Sequence, residues 1–432
     1  MPGRREAHAM AGVALAIGVI LCAVSVLLGF EGRAFLGRPP GGDFVEFYTI
    51  GKILNNYPPA RIYDPQLAVA LQHATVPAMP QTQMLVFGQA PFIASLFRPF
   101  ALLPYAWAYL AWLGFSAALY MAALAVLFRT VGLNAKDRRT GFLLAMSLTS
   151  FLFETWIGGQ VSVVVFVIWA LFFWCHEKRW PFLGGCILAL CLFKPTLVAL
   201  PALMLLVGRR WRVVGGLVAG GVAMAALSVA TVGLDGCMAW LRGLLMFGNT
   251  VATTGQHWNR AKDAGILAFF EQLLGNRTPV AVVIATLVAI AALSWLGRAW
   301  WRSEGQSGDR ALWAATLCFT LVISPYAPIY DTILVVVAVV LIAPQVSALW
   351  LLILYMIPWV TQSFAEFLHL QLMTVSIAGF GIWAVLLSER RSEIAGTTSV
   401  SHSKPRQEES TMTGAVQRWA TGRFQVRSRG LP

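Results

Sequence analysis

Charged residues are scarce in this chain, and their scarcity argues against an ordinary soluble domain. They make up 12% of the 432 residues, whereas a typical globular protein has about 25%. Hydrophobic residues supply 58%, and many of them lie in apolar runs too long and too frequent for the core of a soluble domain. The runs lack the period-two alternation of transmembrane β-strands. The sequence therefore predicts an all-α, polytopic membrane protein.

Several motifs of soluble catalytic domains are also missing. No Walker, GxGxxG, GxSxG or HExxH pattern occurs in a fitting context, which argues against an ATP-driven pump domain, an α/β-hydrolase and a zinc protease. The six cysteines form no CxxC pair, and no carboxylate-rich cage is evident, so we predict neither a cofactor nor a metal. The net charge of +13 comes from basic residues between the apolar runs and in the C-terminal tail. We interpret this charge as a topology signal and predict no nucleic-acid partner.

The order of the basic clusters predicts the membrane topology. Lys and Arg accumulate on the cytoplasmic side, which places there the clusters near residues 4–5, 136–139, 178–179, 209–212, 298–310 and 390–391. Neighbouring clusters must then be joined by an even number of crossings, which predicts about twelve transmembrane helices and two cytoplasmic termini. The predicted spans are residues 10–30, 105–128, 141–157, 161–175, 182–193, 196–207, 213–232, 279–300, 311–324, 332–344, 346–361 and 371–388.

Two long loops fall on the opposite, extracytoplasmic side of the membrane. The first, residues 31–104, is expected to carry short helices that lie at the membrane interface, and the second covers residues 233–278. The loops and spans together form one transmembrane domain, residues 1–388. Residues 389–432 are rich in Ser, Thr, Arg and Gln, and are predicted to form a disordered basic cytoplasmic tail.

Two acidic residues, Asp43 and Glu46, follow the first span and a turn rich in Pro and Gly. If a helix begins there, their three-residue spacing places both carboxylates on one helical face. Asp43 could then cap the helix, which is the structural interpretation, or it could present a reactive carboxylate at the membrane surface.

Polar residues in the other loops on this side are further site candidates. Lys194 precedes Pro195 between two apolar halves that are too short to cross a bilayer upright, which suggests half-helices meeting inside the protein. A lysine at that depth either snorkels to the surface or is paired with a ligand such as phosphate. The other candidates are Gln160 in a Gly-rich hairpin, Asn259, Arg260 and Asp263 in the second loop, and Tyr330 and Asp331 between two apolar runs. A tight turn, a solvated loop and a helix cap are their structural alternatives.

These residues, in this order and on one side, resemble glycosyltransferase family 87 of the GT-C superfamily of membrane glycosyltransferases. The resemblance covers about residues 10–345 and rests on short motifs. They are Asp43, Ile62-Tyr63-Asp64, Ala90-Pro91-Phe92, Arg98 to Pro104, Gly159-Gln160, Phe193-Lys194-Pro195, Gly208 to Arg212, Ser324-Pro325 and Tyr330-Asp331. Their order makes the match fairly specific to the family, but not to one sugar.

The resemblance implies a hexosyltransferase that moves mannose or another hexose from a polyprenyl-phosphate donor to an extracytoplasmic glycolipid or glycan, with inversion. Asp43 occupies the position of the family's general base, and Glu46, one helical turn on, is the next acid to consider. The family often has a histidine in the stretch occupied by residues 325–330. This chain has none there, which argues against an imidazole role at that site.

The remaining candidates are assigned to substrate. A phosphate leaving group needs nearby cations, so Lys194 and Arg260 are predicted to bind the donor phosphate, and Lys194 is expected to do so without stabilising the fold. The residues predicted to bind other parts of the substrates are Gln160, Asn259, Asp263, Tyr330 and Asp331. A transporter or flippase of lipid-linked sugars is the alternative. It would place its ionisable groups near the midplane rather than at one face.

Overall fold

The computed structural model describes residues 4–30, 41–79, 85–253, 260–275, 278–303 and 310–402, and these fold almost entirely into helices. The α-helices are α1 (Arg4–Phe30), α2 (Phe44–Asn56), α3 (Pro65–Thr75), α4 (Pro91–Ala94), α5 (Tyr105–Val131), α6 (Ala135–Ser147), α7 (Ser162–Glu177), α8 (Pro181–Ala189), α9 (Ala199–Val207), α10 (Trp211–Thr253), α11 (Ile266–Leu273), α12 (Pro279–Arg302), α13 (Arg310–Ile323), α14 (Leu334–Leu341), α15 (Ala348–Leu368) and α16 (Leu372–His402). Within the described residues, β-structure is limited to an isolated bridge between Asp263 and Pro328. The all-α prediction is confirmed.

Six described helices are long and apolar enough to cross a membrane. They are His8–Leu28, Tyr105–Val131, Trp211–Leu245, Pro279–Arg302, Ala348–Leu368 and Leu372–Arg391. A pair bent by 54°, α6 and the π-helical segment Ser150–Ile157, makes seven if it counts as one span. A multi-pass membrane protein is therefore confirmed.

The prediction of about twelve transmembrane helices is not matched, because several of the helices are shorter than the charge alternation implies. Five predicted spans coincide with apolar helices of only 10–17 residues: Ser162–Glu177, Pro181–Phe193, Pro195–Val207, Arg310–Ile323 and Ile329–Leu341. A helix needs about 17–25 residues to cross a bilayer. Charge alternation counts the segments between basic loops and carries no information about their length, so the described residues give six or seven full-length spans.

Three of the short helices, α7, α13 and α14, lie in the interior of the bundle, and most of the long helices are more exposed. Every residue of α13 from Ala311 to Val322 is buried, whereas only 17% of the apolar window of Pro279–Arg302 is buried. A short apolar helix with no exposed face gains its stability from neighbouring helices rather than from lipid. These inner helices end at the polar residues of the candidate site.

The first predicted loop contains a helix that is buried rather than interfacial. All residues of α2 from Phe44 to Gly51 are buried. The Phe44 ring packs 5.8 Å from Trp112, and the Phe47 ring stacks 4.8 Å from Phe97, centroid to centroid. Because Phe44 and Phe47 are three residues apart, this aromatic packing buries one face of α2 and fixes the helix that follows Asp43.

Helices also extend into two segments predicted to be irregular. α10 continues to Thr253 through a kink at Gly233, whose φ of 74° lies in the left-handed region that glycine tolerates. The predicted loop 233–278 therefore begins as helix, because the charge pattern cannot distinguish a kink from a helix end. The described contacts divide the chain after Ser388, and α16 continues to His402 into the predicted tail. The prediction for residues 403–432 lies outside the described residues.

Candidate active site

Two glycine-containing turns interlock to form the base of the site. The backbone N–H of Asp43 donates to the carbonyl of Gly158 at 2.8 Å. Gly42 and Gly159 both have left-handed φ values, 56° and 71°. A Cβ on Gly159 would lie 2.5 Å from Cβ of Phe44, and a Cβ on Gly42 would lie 2.7 Å from the Gly158 oxygen. Glycine is required at both positions for conformation and for space, so the two turns fix each other through their backbones.

This docking places the side chain of Gln160 against the carboxylate of Asp43. The Gln160 Nε2 atom donates to Asp43 Oδ2, and Gln160 is buried. Asp43 occupies the N-cap position of α2, but its side chain makes no capping hydrogen bond. The structure therefore assigns the carboxylate to the contact with Gln160 rather than to the capping role that the sequence left open.

Glu46 lies one helical turn beyond Asp43 and is buried, with 7% of its surface exposed. Its Oε1 atom has no hydrogen-bond partner among the described residues. Burial raises the pKa of Glu46 well above 4.5, the negative charge of Asp43 adds to the rise, and the positive charge of Lys194 opposes it. The electrostatic influence of both residues places Asp43, Glu46 and Lys194 in one cluster.

Lys194 forms a buried ion pair at the break between two short helices. Its Nζ atom donates to Asp331 Oδ1 at 2.7 Å and to Ser162 Oγ at 3.2 Å. The Ser162 hydroxyl itself donates to Asp331 Oδ1 at 2.6 Å. The ammonium also lies 4.6 Å from the centroid of the Tyr330 ring. Pro195 cannot donate a backbone hydrogen bond, which interrupts the helix and lets Lys194 turn toward these partners.

A second tyrosine, Tyr326, extends the cluster. Its hydroxyl and that of Tyr330 are 2.9 Å apart. Burial raises the pKa of Tyr326 well above 10, and the negative charges of Asp331, Asp43 and Glu46 add to the rise. Tyr326 therefore joins the cluster through Tyr330, in the stretch where the sequence has no histidine.

Residues of the predicted second loop pack beside the cluster and brace it. Asp263 accepts backbone hydrogen bonds from Gly265 at 2.8 Å and Ala327 at 3.1 Å. Arg260 pairs with Glu271, with 3.1 Å between Nε and Oε2. These contacts are with the protein itself, so the substrate role of Asp263 and the phosphate role of Arg260 stay predictions. Asn259 lies outside the described residues.

Comparison with known proteins gives the family. The family model of glycosyltransferase family 87 matches residues 87–325, more than half of the chain. This chain belongs to glycosyltransferase family 87. The prediction of an enzyme is thus confirmed, and the transporter alternative loses its support.

A curated relative of this family 87 enzyme comes from Mycolicibacterium smegmatis. It is the polyprenol-phosphate-mannose-dependent alpha-(1-2)-phosphatidylinositol pentamannoside mannosyltransferase, to which the chain is 29% identical over 251 residues, 56% of its length. The matched region spans 57% of the relative. No solved structure gives a significant match.

The family match covers only part of the cluster. Residues 87–325 include Gln160 and Lys194 but stop before Asp331 and begin after Asp43. The contacts Gln160–Asp43 and Lys194–Asp331 join the unmatched residues to the matched region of the family 87 enzyme. Within the described residues, no group of three or more His, Cys, Asp or Glu side chains is arranged to hold a metal ion.

Three residues near the site were not among the sequence candidates. Ser162 and Tyr326 give weak signals, since hydroxyl residues are common at helix starts and in loops. Glu154, which pairs with Lys262 at 3.5 Å, is an acid inside an apolar run. An ionisable residue in such a run normally has a partner or a function, and this is the signal that could have identified it.

Proposed function

We propose that this family 87 glycosyltransferase moves a hexose from a polyprenyl-phosphate donor to a glycolipid or glycan acceptor with inversion, using Asp43 as general base. Mannose is the proposed sugar, because the M. smegmatis relative is named for a polyprenol-phosphate-mannose donor. The observation that carries the proposal is the Asp43 carboxylate, held by Gln160 in a cluster that also contains Glu46 and Lys194. A carboxylate in such a setting can take the proton of a sugar hydroxyl.

The proposed step forms one bond and breaks one. Asp43 takes the proton of the acceptor hydroxyl, and the oxygen of that hydroxyl bonds to the anomeric carbon of the donor. The bond between that carbon and the phosphate oxygen breaks, and the electron pair leaves with the lipid phosphate. Attack and departure on opposite faces of the sugar invert the anomeric carbon.

Two unsatisfied acceptors beside Asp43 support a sugar site. Gln160 Oε1 and Glu46 Oε1 are buried and have no hydrogen-bond partner among the described residues. Leaving a buried acceptor unpaired typically costs about 1–3 kcal/mol. A sugar hydroxyl donates one hydrogen bond and accepts others, so a bound sugar could satisfy both atoms. We assign Gln160 to this contact as well as to orienting Asp43.

Lys194 is the cation that we propose for the donor phosphate. An ammonium has three donors, and Asp331 and Ser162 take two of them. The third has no hydrogen-bond acceptor within the part of the chain that the structure describes. Arg260 already forms an ion pair with Glu271, so Lys194 is the better candidate to bind the phosphate. Tyr330 and Asp331 would then position the ammonium rather than contact the sugar.

We also propose that the cluster opens to the extracytoplasmic side, with the basic loops in the cytoplasm. The basic ends of α7 and α10 flank the two short helices that meet at Lys194. Those two helices would enter the membrane and return, with Lys194 at the turning point, which is tolerated where backbone is buried in protein.

The test is sugar transfer in sealed, right-side-out vesicles containing the purified enzyme. Radiolabelled polyprenyl-phosphate mannose is added with a water-soluble mannoside acceptor that cannot cross the membrane. We expect labelled product without opening the vesicles, with the anomeric configuration opposite to that of the donor. Absence of product with a panel of such acceptors in intact and opened vesicles would contradict the proposed function. Product in opened vesicles alone would contradict only the orientation.

Glu46→Gln is expected to reduce the pH dependence of stability. Because burial raises the folded pKa of Glu46, the stabilisation from its neutral form is complete below the ordinary value of 4.5. It is lost as pH rises from 4.5 toward the raised folded value. Gln keeps the shape and stays neutral, so the thermal midpoint of the purified variant should fall less across this range than that of the wild type. The exposed exchange Glu366→Gln is the matched control, and equal slopes for Glu46→Gln and wild type would contradict the burial argument.

A further inference from the structure

A cavity of about 750 Å³ lies at the end of the bundle opposite to Asp43. α7 shows the separation, because it begins at Ser162 beside Asp331 and ends at Glu177 in the cavity wall. Its 16 residues rise about 24 Å at 1.5 Å per residue. Neither Asp43 nor Lys194 lines the cavity, so it is separate from the glycosyltransferase site.

The cavity wall carries a large excess of positive charge. It contains five arginines and one glutamate: Arg179, Arg209, Arg210, Arg212, Arg310 and Glu177. Glu177 pairs with Arg310, with 3.1 Å between Oε2 and Nη2. Arg179 and Arg212 are exposed and make no ion pair with any described residue. This excess of positive charge makes the cavity suited to binding an anion.

Two of the arginines, Arg209 and Arg210, contact aromatic and hydroxyl groups. The Arg209 guanidinium lies 3.9 Å from the centroid of the Trp301 ring. Arg210 donates to the Ser303 hydroxyl at 3.3 Å, and burial lowers the pKa of Arg210, so a bound anion would relieve the cost of burying its charge. Guanidinium groups fixed in this way suit the planar, bidentate recognition of phosphate.

Tryptophans around the cavity indicate the depth of the ligand in the membrane. Trp300 and Trp313 form a buried floor, with ring centroids 4.9 Å apart, whereas Trp211 and Trp301 are 63% and 58% exposed. Exposed tryptophans beside apolar helix ends lie at the level of the lipid headgroups. An anion bound at that depth would be the headgroup of a lipid.

We propose that this cavity binds the phosphate of an anionic phospholipid headgroup from the leaflet opposite to the one that Asp43 faces. Basic pockets between transmembrane helices are known to hold such headgroups. The volume of the cavity falls in the range of ligand sites, about 300–1,000 Å³. The proposal does not depend on the sugar donor, so it stands or falls apart from the proposed function.

The test measures phosphatidylglycerol binding to the purified full-length protein by native mass spectrometry, with phosphatidylcholine and inorganic phosphate as comparison ligands. The variant is Arg179→Gln with Arg212→Gln. A basic residue near anionic lipid contributes about five-fold in affinity, so the double variant should bind phosphatidylglycerol roughly 30-fold more weakly. Arg139→Gln with Arg298→Gln removes two exposed arginines outside the cavity and should bind as the wild type does.

Thermal midpoints confirm folding, and Arg179→Gln alone, with an expected loss of about five-fold, serves if the double variant is unstable. Equal phosphatidylglycerol affinity in wild type and variant, or equal affinity for phosphatidylcholine, would overturn the site. Displacement of the lipid by millimolar inorganic phosphate would overturn the assignment to a lipid and leave a soluble anion as occupant.

Discussion

Asp43→Asn is expected to slow sugar transfer by about 10²–10⁴-fold, because it removes the carboxylate proposed to take the acceptor's proton. The amide keeps the size of the side chain, and its oxygen can still accept from Gln160 Nε2. The side chain makes no capping bond to α2, so the thermal midpoint should stay close to that of the wild type. The measurement is the single-turnover rate at saturating donor, together with thermal unfolding in the same detergent.

The matched control for Asp43→Asn is Asp137→Asn, which changes another acid to its amide near the start of α6, in the cluster at residues 136–139 predicted to be cytoplasmic. Asp137 interacts with Asn134 there, and its change should leave the rate within about two-fold of the wild type, as surface substitutions usually do. A rate close to wild type in Asp43→Asn would mean that the base lies elsewhere. Glu46 would then be the next acid to replace.

Lys194→Ala is expected to destabilise the folded enzyme by about 3–5 kcal/mol, because it leaves Asp331 as a buried charge without its cation. Asp331 is 2% exposed, and among the described residues only the Ser162 hydroxyl would still donate a side-chain hydrogen bond to its carboxylate. The ion pair gives Lys194 a structural partner, which the sequence did not predict. Thermal or denaturant unfolding of the purified variant measures the loss, and an unchanged midpoint would contradict the structural part of the role.

Replacing both partners separates the fold from the chemistry. In Lys194→Met with Asp331→Leu, two apolar side chains of similar size replace the ions, and such exchanges are often neutral for stability. The double variant should therefore recover most of the stability lost in Lys194→Ala. It should still bind the polyprenyl-phosphate donor weakly, since the proposed phosphate cation is gone. Recovery of donor affinity along with stability would assign Lys194 to the fold alone.

The sequence identified polar residues that the structure brings together, but it did not predict how they pair. Asp43 and Gln160 were singled out beside Gly-rich turns, Lys194 and Asp331 beside apolar runs, and all four by the family resemblance. The pairing of Asp43 with Gln160 joins residues 117 positions apart, and that of Lys194 with Asp331 joins residues 137 apart. Such partners are chosen by helix packing, which the charge pattern does not encode.

Helix positions were also more predictable than helix lengths and depths. Apolar composition located the helices between the basic loops, but the same composition suits a lipid-facing span and a buried inner helix such as α13. The burial of α2 depends on neighbours distant in sequence, since Phe44 packs on Trp112 and Phe47 on Phe97. Arg260 was predicted at the phosphate, yet it pairs with Glu271 on the next helix along the chain.

The acid cluster is buried at Glu46 and Asp331 and partly buried at Asp43, which has a consequence for charge conservation during the proposed reaction. Lys194 and Asp331 cancel each other, and burial favours the neutral form of Glu46, so Asp43 carries the remaining charge of these four groups. The donor phosphodiester has one negative charge, and the released phosphate monoester has two when fully ionised. As the leaving group gains a charge, Asp43 loses one by taking a proton. The total charge inside the protein is the same before and after transfer, so a site shielded from water avoids the cost of accumulating charge.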